Sequence, residues 1–185
     1  MTGRDLAAGL IELVRLDPAD AGELLTVQRS AYAEQARLHH DPHLPPLTET
    51  LSQLRAELAS AEVVTLGLRR AGRLVAAVRL RTPLGGSEAM LSRLVVVPDL
   101  QGSGLGTRLL LAVEAVVPQH VRCITLFTGE HSATNLTLYT RHGYVETHRT
   151  DAGAPPPAPP YQLVHLAKSL RRAGQGTMSN EPPSS

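Results

Sequence analysis

Short apolar runs alternate with segments of helical period from Ile11 to Ala167. Ile11–Leu16 alternates weakly and predicts a first strand. Asp17-Pro18 supplies a side-chain cap followed by proline at the first helical position. A helix is expected from Pro18 to about Leu38, with Leu24, Leu25, Val27, Gln28 and Ala31 on a mixed apolar face. Thr48 is placed to cap a second helix, Glu49 to Leu58. Val63–Leu68 and Leu74–Leu80 are β-rich runs split by Arg69-Arg70-Ala71-Gly72-Arg73, a hairpin signal. A turn at Gly85-Gly86 leads into a long strand, Glu88–Val97, whose end Leu94-Val95-Val96-Val97 reads as covered on both faces. Beyond Pro98 and a glycine-rich bend, Leu105, Leu109, Ala112, Val113 and Val116 recur at helical spacing. Val121–Thr128 is the next strand. A helix then starts at an N-cap, Ser132, and stops at Gly143. Tyr144–Thr150 and Tyr161–Ala167 are two last strands, joined by the proline-rich loop Ala152–Pro160, which reads as a spacer. Residues 1–10 form an extension, 11–170 a single domain, and 171–185, which lack apolar content, a disordered tail.

Composition narrows the class. At 185 residues, with 42% hydrophobic and 19% charged positions, the chain is long enough to bury a core without disulfides. A net charge of +1 and an aromatic fraction of 3%, with no Trp, argue against a nucleic-acid surface. No run has the length of a membrane span and no leader is evident, so a cytoplasmic protein is expected. The single cysteine, Cys123, falls in an apolar strand and reads as packing. His39-His40-Asp41-Pro42-His43 invites a metal site, but its spacing fits no established zinc pattern and its prolines demand a loop. That loop reads either as solvent-exposed or as part of an acceptor pocket, and no metal is expected.

The informative stretch is Leu91–Glu114, in the order strand, glycine bend, helix. The first N–H groups of a helix have no internal partner, and the helix dipole places partial positive charge there. Glycines at 102, 104 and 106 let the backbone turn sharply and let a ligand approach it. The product is a main-chain anion site suited to a phosphate or pyrophosphate. A P-loop would need Gly-Lys-Ser/Thr, and the chain's only lysine is Lys168. A dinucleotide fingerprint would need glycine where Thr107 stands, directly after the first strand of its unit.

The stretch instead resembles the first motif of the GCN5-related N-acetyltransferases (GNAT family): a strand ending V-x-P, then Q/R-x-x-G-x-G/A, filled here by Gln101, Gly104 and Gly106 behind Val97-Pro98. The order strand, two helices, three strands, glycine loop, helix resembles the family over roughly residues 11–170. Gly129–Tyr144 is similar to the family's second motif, N-x-x-A/G-x-x-x-Y followed by G-F/Y. It departs in placing Ser132 at the usual asparagine and Asn135 at the usual small residue; of the two, Asn135 is preferred as a ligand for its two-sided hydrogen bonding.

The resemblance implies a single α/β (α+β) domain with a mixed, mostly antiparallel sheet of about seven strands and about four helices. It implies acetyl-CoA as co-substrate. The pantetheine arm would run along Leu94, Val95, Val96 and Val97, beside a splay between this strand and the next. The pyrophosphate would lie on Gln101, Gly102, Ser103, Gly104, Leu105, Gly106 and Thr107, with Asn135 and Tyr139 also against the coenzyme. Tyr139 would protonate the leaving thiolate: a phenol, of pKa about 10, stays protonated where a thiol, at about 8.5, begins to ionise. A backbone N–H in the Leu94–Val96 region would polarise the thioester carbonyl. Glu88, on the same strand face as Met90 and Ser92, is a candidate base, with a solvated strand-start acid as the alternative. The acceptor would be a small-molecule or peptide amine, bound along Tyr32–Thr50; a homodimer stays open. The competing expectations are a non-catalytic acyl-CoA-binding module on the same fold and a dinucleotide-dependent enzyme.

Overall fold

The computed structural model describes residues 10–153 and 160–170. The expected N-terminal extension, most of the proline-rich loop and the C-terminal tail lie outside the described residues. Seven strands form one sheet in the order β1-β2-β3-β4-β5-β7-β6. They are β1 (Ile11–Arg15), β2 (Val63–Arg70), β3 (Arg73–Arg81), β4 (Glu88–Val96), β5 (Cys123–Gly129), β6 (Val145–Asp151) and β7 (Gln162–Ser169). Every neighbouring pair is antiparallel except β4 with β5. The helices are α1 (Ala21–His39), the single turn α2 (Pro45–Thr48), α3 (Leu51–Leu58), α4 (Leu105–Ala115) and α5 (Ala133–Arg141).

The core is built around β3, which is buried at every position from Leu74 to Leu80. Successive strand side chains point to opposite faces, so both faces must be covered. Helix α1 packs on β3 and β4, and α4 packs on β2, β3 and β4. The buried residues of α4, Leu105, Leu109, Leu110 and Val113, follow the spacing that predicted it. The β2–β3 turn is Ala71-Gly72, both with positive φ (49° and 81°), the geometry that matches strand twist in a two-residue hairpin.

Three boundaries and one capping bond differ from expectation, each for a local reason. Pro18–Asp20 is a 3₁₀ turn closed by a reciprocal Asp17–Asp20 capping box, and α1 starts after it. Thr50 rather than Thr48 caps the third helix, because Gln53 lies three residues beyond it and returns the capping bond. Leu44-Pro45-Pro46 starts an extra turn, with proline at its first position. Ser132 stands at the N-cap of α5 but makes no cap bond; its hydroxyl is used elsewhere.

Candidate acetyl-transfer site

Strands β4 and β5 pair over only part of their length. The parallel pairing of β4 with β5 stops at Met90↔Thr125. Beyond it β4 continues to Val96, still paired with β3, and β5 continues to Gly129, paired on its other side with β7. Among the described residues, the β4 edge from Leu91 to Val96 therefore has no strand partner on the β5 side. A bulge shapes this segment: Ala77 pairs with Val95 but Arg79 with Ser92, so β4 carries one extra residue there. Arg93 absorbs it with φ of 53°. A non-glycine residue in that region costs about 1–3 kcal/mol, a strain that persists only where surrounding contacts enforce it.

The same strand runs into the glycine bend. Gly102 and Gly104 have φ of 74° and 85°, and a Cβ on either would meet nothing within 4 Å. Gln101, Gly102, Ser103 and Gly104 are exposed, and Gly104 is the N-cap of α4 without any side-chain cap. Gln101 donates from Nε2 to the Val96 carbonyl at 3.2 Å and ties the bend to the strand end. Among the described residues, no backbone acceptor takes the N–H of Gly102, Gly104, Leu105, Gly106 or Thr107. These donors converge at an open helix N-terminus, the arrangement that receives a phosphate.

Helix α5 carries Tyr139, which lies between Tyr144 and Tyr32. Its ring is 5% exposed and packs edge-on against Tyr144, with centroids 5.8 Å apart. The hydroxyl makes no hydrogen bond to any described residue. Burial, and then the neighbouring Tyr32, push this phenol well above its ordinary range. Asn135 donates to Thr128 Oγ1 at 3.4 Å and is half-buried. Ser132 is buried; its hydroxyl donates to Gln35 Oε1 at 2.6 Å and meets His39 Nε2 at 3.3 Å. Leu94 and Val96 are half-buried, Val95 and Val97 buried.

Glu88 is exposed at the start of β4, opposite Cys123, three residues before the splay opens. The Cys123 thiol is half-buried and free, and burial followed by Glu88 raises its pKa, so it is a poor nucleophile.

A charged cluster that the sequence reading missed lies beside the bulge. A cavity of about 640 Å³ is lined by Pro45, Thr48, Glu49, Gln53, Glu57, Arg81 and Arg93, among others. Arg79, 3% exposed, reaches Glu49 Oε1 at 3.4 Å and pairs closely with Glu57. Arg81 takes Glu57 at 2.6 Å and Glu62 at 3.4 Å. Glu49 Oε2 accepts from Gln28 Nε2 at 2.7 Å. Burial raises the Glu57 carboxyl, but Arg79 and Arg81 outweigh it and hold the group below the usual carboxylate range. Tyr32, on α1, sits against Arg93; burial dominates and raises its pKa. Arg79 and Arg93 interrupt otherwise apolar strands, and that was the available signal.

In the histidine segment His40, Pro42 and His43 are exposed as a solvent loop requires, but His39 and Asp41 are not. His39 ends α1 and is buried, its ring stacked on Tyr161 at 4.3 Å and on His131 at 5.5 Å. Helix α1 extends one residue past Leu38 because His40 caps it in the left-handed conformation, and that points the ring inward. Asp41 is buried too, its Oδ1 accepting from the His43 N–H. Among the described residues no three histidine, cysteine or acidic groups are placed to hold a metal ion. Nor is any described helix long and apolar enough to cross a membrane.

Comparison with known proteins bears on the family and the fold. The model of the Acetyltransferase (GNAT) family matches residues 28–144. Among solved structures, PaiA N-acetyltransferase from Thermoplasma acidophilum, in complex with coenzyme A, superposes with a TM-score of 0.73 at 17% identity, over 87% of this chain and 99% of that one. The ribosomal-protein-S18-alanine N-acetyltransferase from Escherichia coli gives 0.74 at 18% identity, over 91% and 99%. A putative phosphinothricin N-acetyltransferase gives 0.71 at 18% identity, over 88% and 100%. A search of curated protein sequences gives no match. At these identities the structural likeness establishes the fold, and the family match, spanning more than half the chain, establishes the lineage: this chain belongs to the GNAT acetyltransferase family.

Proposed function

We propose that the chain transfers the acetyl group of acetyl-CoA to a primary amine by direct attack in a ternary complex. The observation that carries the reading is continuity: an unpartnered β4 edge, Leu91–Val96, leads straight into the glycine bend, where the N–H groups of Gly102, Gly104, Leu105, Gly106 and Thr107 have no backbone acceptor among the described residues. An extended arm with amide groups pairs with the first, and a diphosphate with the second. Asn135 makes a single 3.4 Å bond, to Thr128 on the part of β5 beyond its pairing with β4, whereas the Ser132 hydroxyl is engaged by both Gln35 and His39, which favours Asn135 as the ligand.

Tyr139 holds the proton the reaction needs. The amine nitrogen forms its bond to the thioester carbon, the carbon–sulfur bond breaks, and the phenol gives its proton to the departing sulfur. Burial keeps the phenol protonated at neutral pH. The N–H groups past the Arg93 bulge are placed to take up negative charge on the carbonyl oxygen. The acceptor enters from the cavity beside Glu49 and Arg93, which opens to water. That water takes the ammonium proton, and exposed Glu88 assists from the strand start.

The test is a screen of amines and peptides with acetyl-CoA, read as free thiol. Amine-dependent thiol release with acetylated product supports the proposal. Acetyl-CoA binding without release for any acceptor favours a binding module on the same fold, and stabilisation by NAD alone overturns the reading.

A further inference from the structure

In the cavity wall and just behind it, guanidinium groups and carboxylates are equal in number but uneven in their contacts. Three acids, Glu49, Glu57 and Glu62, face three arginines, Arg79, Arg81 and Arg93. Arg79 engages Glu49 and Glu57, and Arg81 engages Glu57 and Glu62. Glu49 is further held by Gln28. Arg93 is left with a 3.9 Å approach of its Nε to Glu49 and a contact with Tyr32. Among the described residues its Nε is buried without a hydrogen-bond partner, as are Nε and Nη2 of buried Arg79. The Arg93 side chain is 24% exposed and lines the cavity, so a ligand there can reach it. Buried donors lacking acceptors are costly, and an Arg fork is satisfied best by a planar, two-oxygen anion.

Position narrows the ligand. Arg93 is the bulged residue of β4, immediately before the segment whose amides would face the reacting carbonyl. An anion held by its guanidinium would share the cavity through which the amine enters. The charge it can bear is small, because Glu49 and Glu57 line the same cavity. A doubly charged phosphate would press against both, whereas one carboxylate matches one under-partnered guanidinium.

We propose that the acceptor is an amine that also carries a carboxylate, an amino acid or a close analogue, and that Arg93 binds that carboxylate. This rests on the acetyl-transfer reading above. It adds the substrate class and the residue that selects it.

The experiment compares acceptors in pairs that differ only in the anion. The probes are the common amino acids, β-alanine and 4-aminobutyrate, each beside its carboxamide, with acetyl-CoA and thiol release as readout. The best acceptor is expected to be a carboxylate, with kcat/KM at least about 30-fold above its carboxamide, carried mainly by KM. Arg93→Gln should collapse that ratio to within about 3-fold, and Arg93→Lys should restore part of it, since it keeps charge but loses the fork. Equal rates for acid and amide, or a faster neutral amine, overturn the inference while leaving acetyl transfer standing. No thiol release with any amine overturns both. The wild-type comparison decides the matter even if Arg93→Gln does not fold.

Discussion

Tyr139→Phe removes one oxygen from a ring that is 5% exposed and otherwise leaves its packing against Tyr144 in place. The hydroxyl has no partner among the described residues, so its loss strands no donor or acceptor there, and the change in stability should stay within about 0.5 kcal/mol. Acetyl-CoA affinity should likewise hold, because the glycine bend and the β4 edge are untouched. The chemical step should suffer. Proton transfer by a positioned acid is worth about 10²–10⁴ in rate, or roughly 3–5 kcal/mol of barrier. The upward pKa shift of the phenol, from burial first and Tyr32 second, means the proton is present throughout the neutral range. The assay is kcat from thiol release with one saturating amine, alongside a melting curve and calorimetric binding of acetyl-CoA. A variant that folds, binds acetyl-CoA normally and keeps kcat within about threefold of wild type would refute the acid role and leave the thiolate departing unassisted.

Other consequences can be checked separately. Because burial holds Tyr139 above the ordinary phenol value of 10, kcat/KM should rise with pH as the amine deprotonates and should not fall below about pH 10; an alkaline limb near pH 8–9 would contradict this. Gly129→Ala places a Cβ 2.3 Å from two atoms of the buried His39 ring, so overpacking should cost about 1–3 kcal/mol, a drop in Tm of roughly 2–12 °C. His39 titrates below its ordinary value, mainly through burial and then His131, so the unfolded chain binds the proton first. The stability His39 contributes is therefore full above about pH 6.5 and is lost as pH falls below it. Urea midpoints should show that loss, and a flat profile from pH 7 to 5 would exclude it. Gly104→Val puts a β-branched residue at φ of 85°, in open space. It should weaken acetyl-CoA at least about tenfold by twisting the helix start, with a stability loss of about 1–3 kcal/mol.

The sequence carried the parts of this site that depend on local backbone. Glycines at 102, 104 and 106 between an apolar strand and a helical period are readable because the φ values they permit and the helix N-terminus they open are local properties. Gly72 and Gly143 marked turns for the same reason. What escaped depends on contacts between distant segments. Nothing near Arg93 tells that β4 holds an extra residue there, since the bulge exists only in its register with β3. His39 looked like the start of an exposed loop, yet its ring fits beneath Tyr161, across a space kept free by the missing side chain of Gly129. Ser132 matched an N-cap by position, but Gln35 and His39, brought in by α1, compete for its hydroxyl and win. The strand splay lay between these extremes: the family resemblance implied it, Pro98 was compatible with it, and the end of pairing at Met90 displays it.

The grip of main-chain donors on a diphosphate can be measured by titrating the protein calorimetrically with acetyl-CoA and, in parallel, with S-acetylpantetheine, which has the thioester and the arm but no diphosphate. Charge-assisted hydrogen bonds from several amides, added to the helix dipole, should make acetyl-CoA bind at least about 100-fold more tightly. Equal affinities for the two ligands would show that the open amides between Gly102 and Thr107 hold no phosphate, and would contradict the assignment of the site.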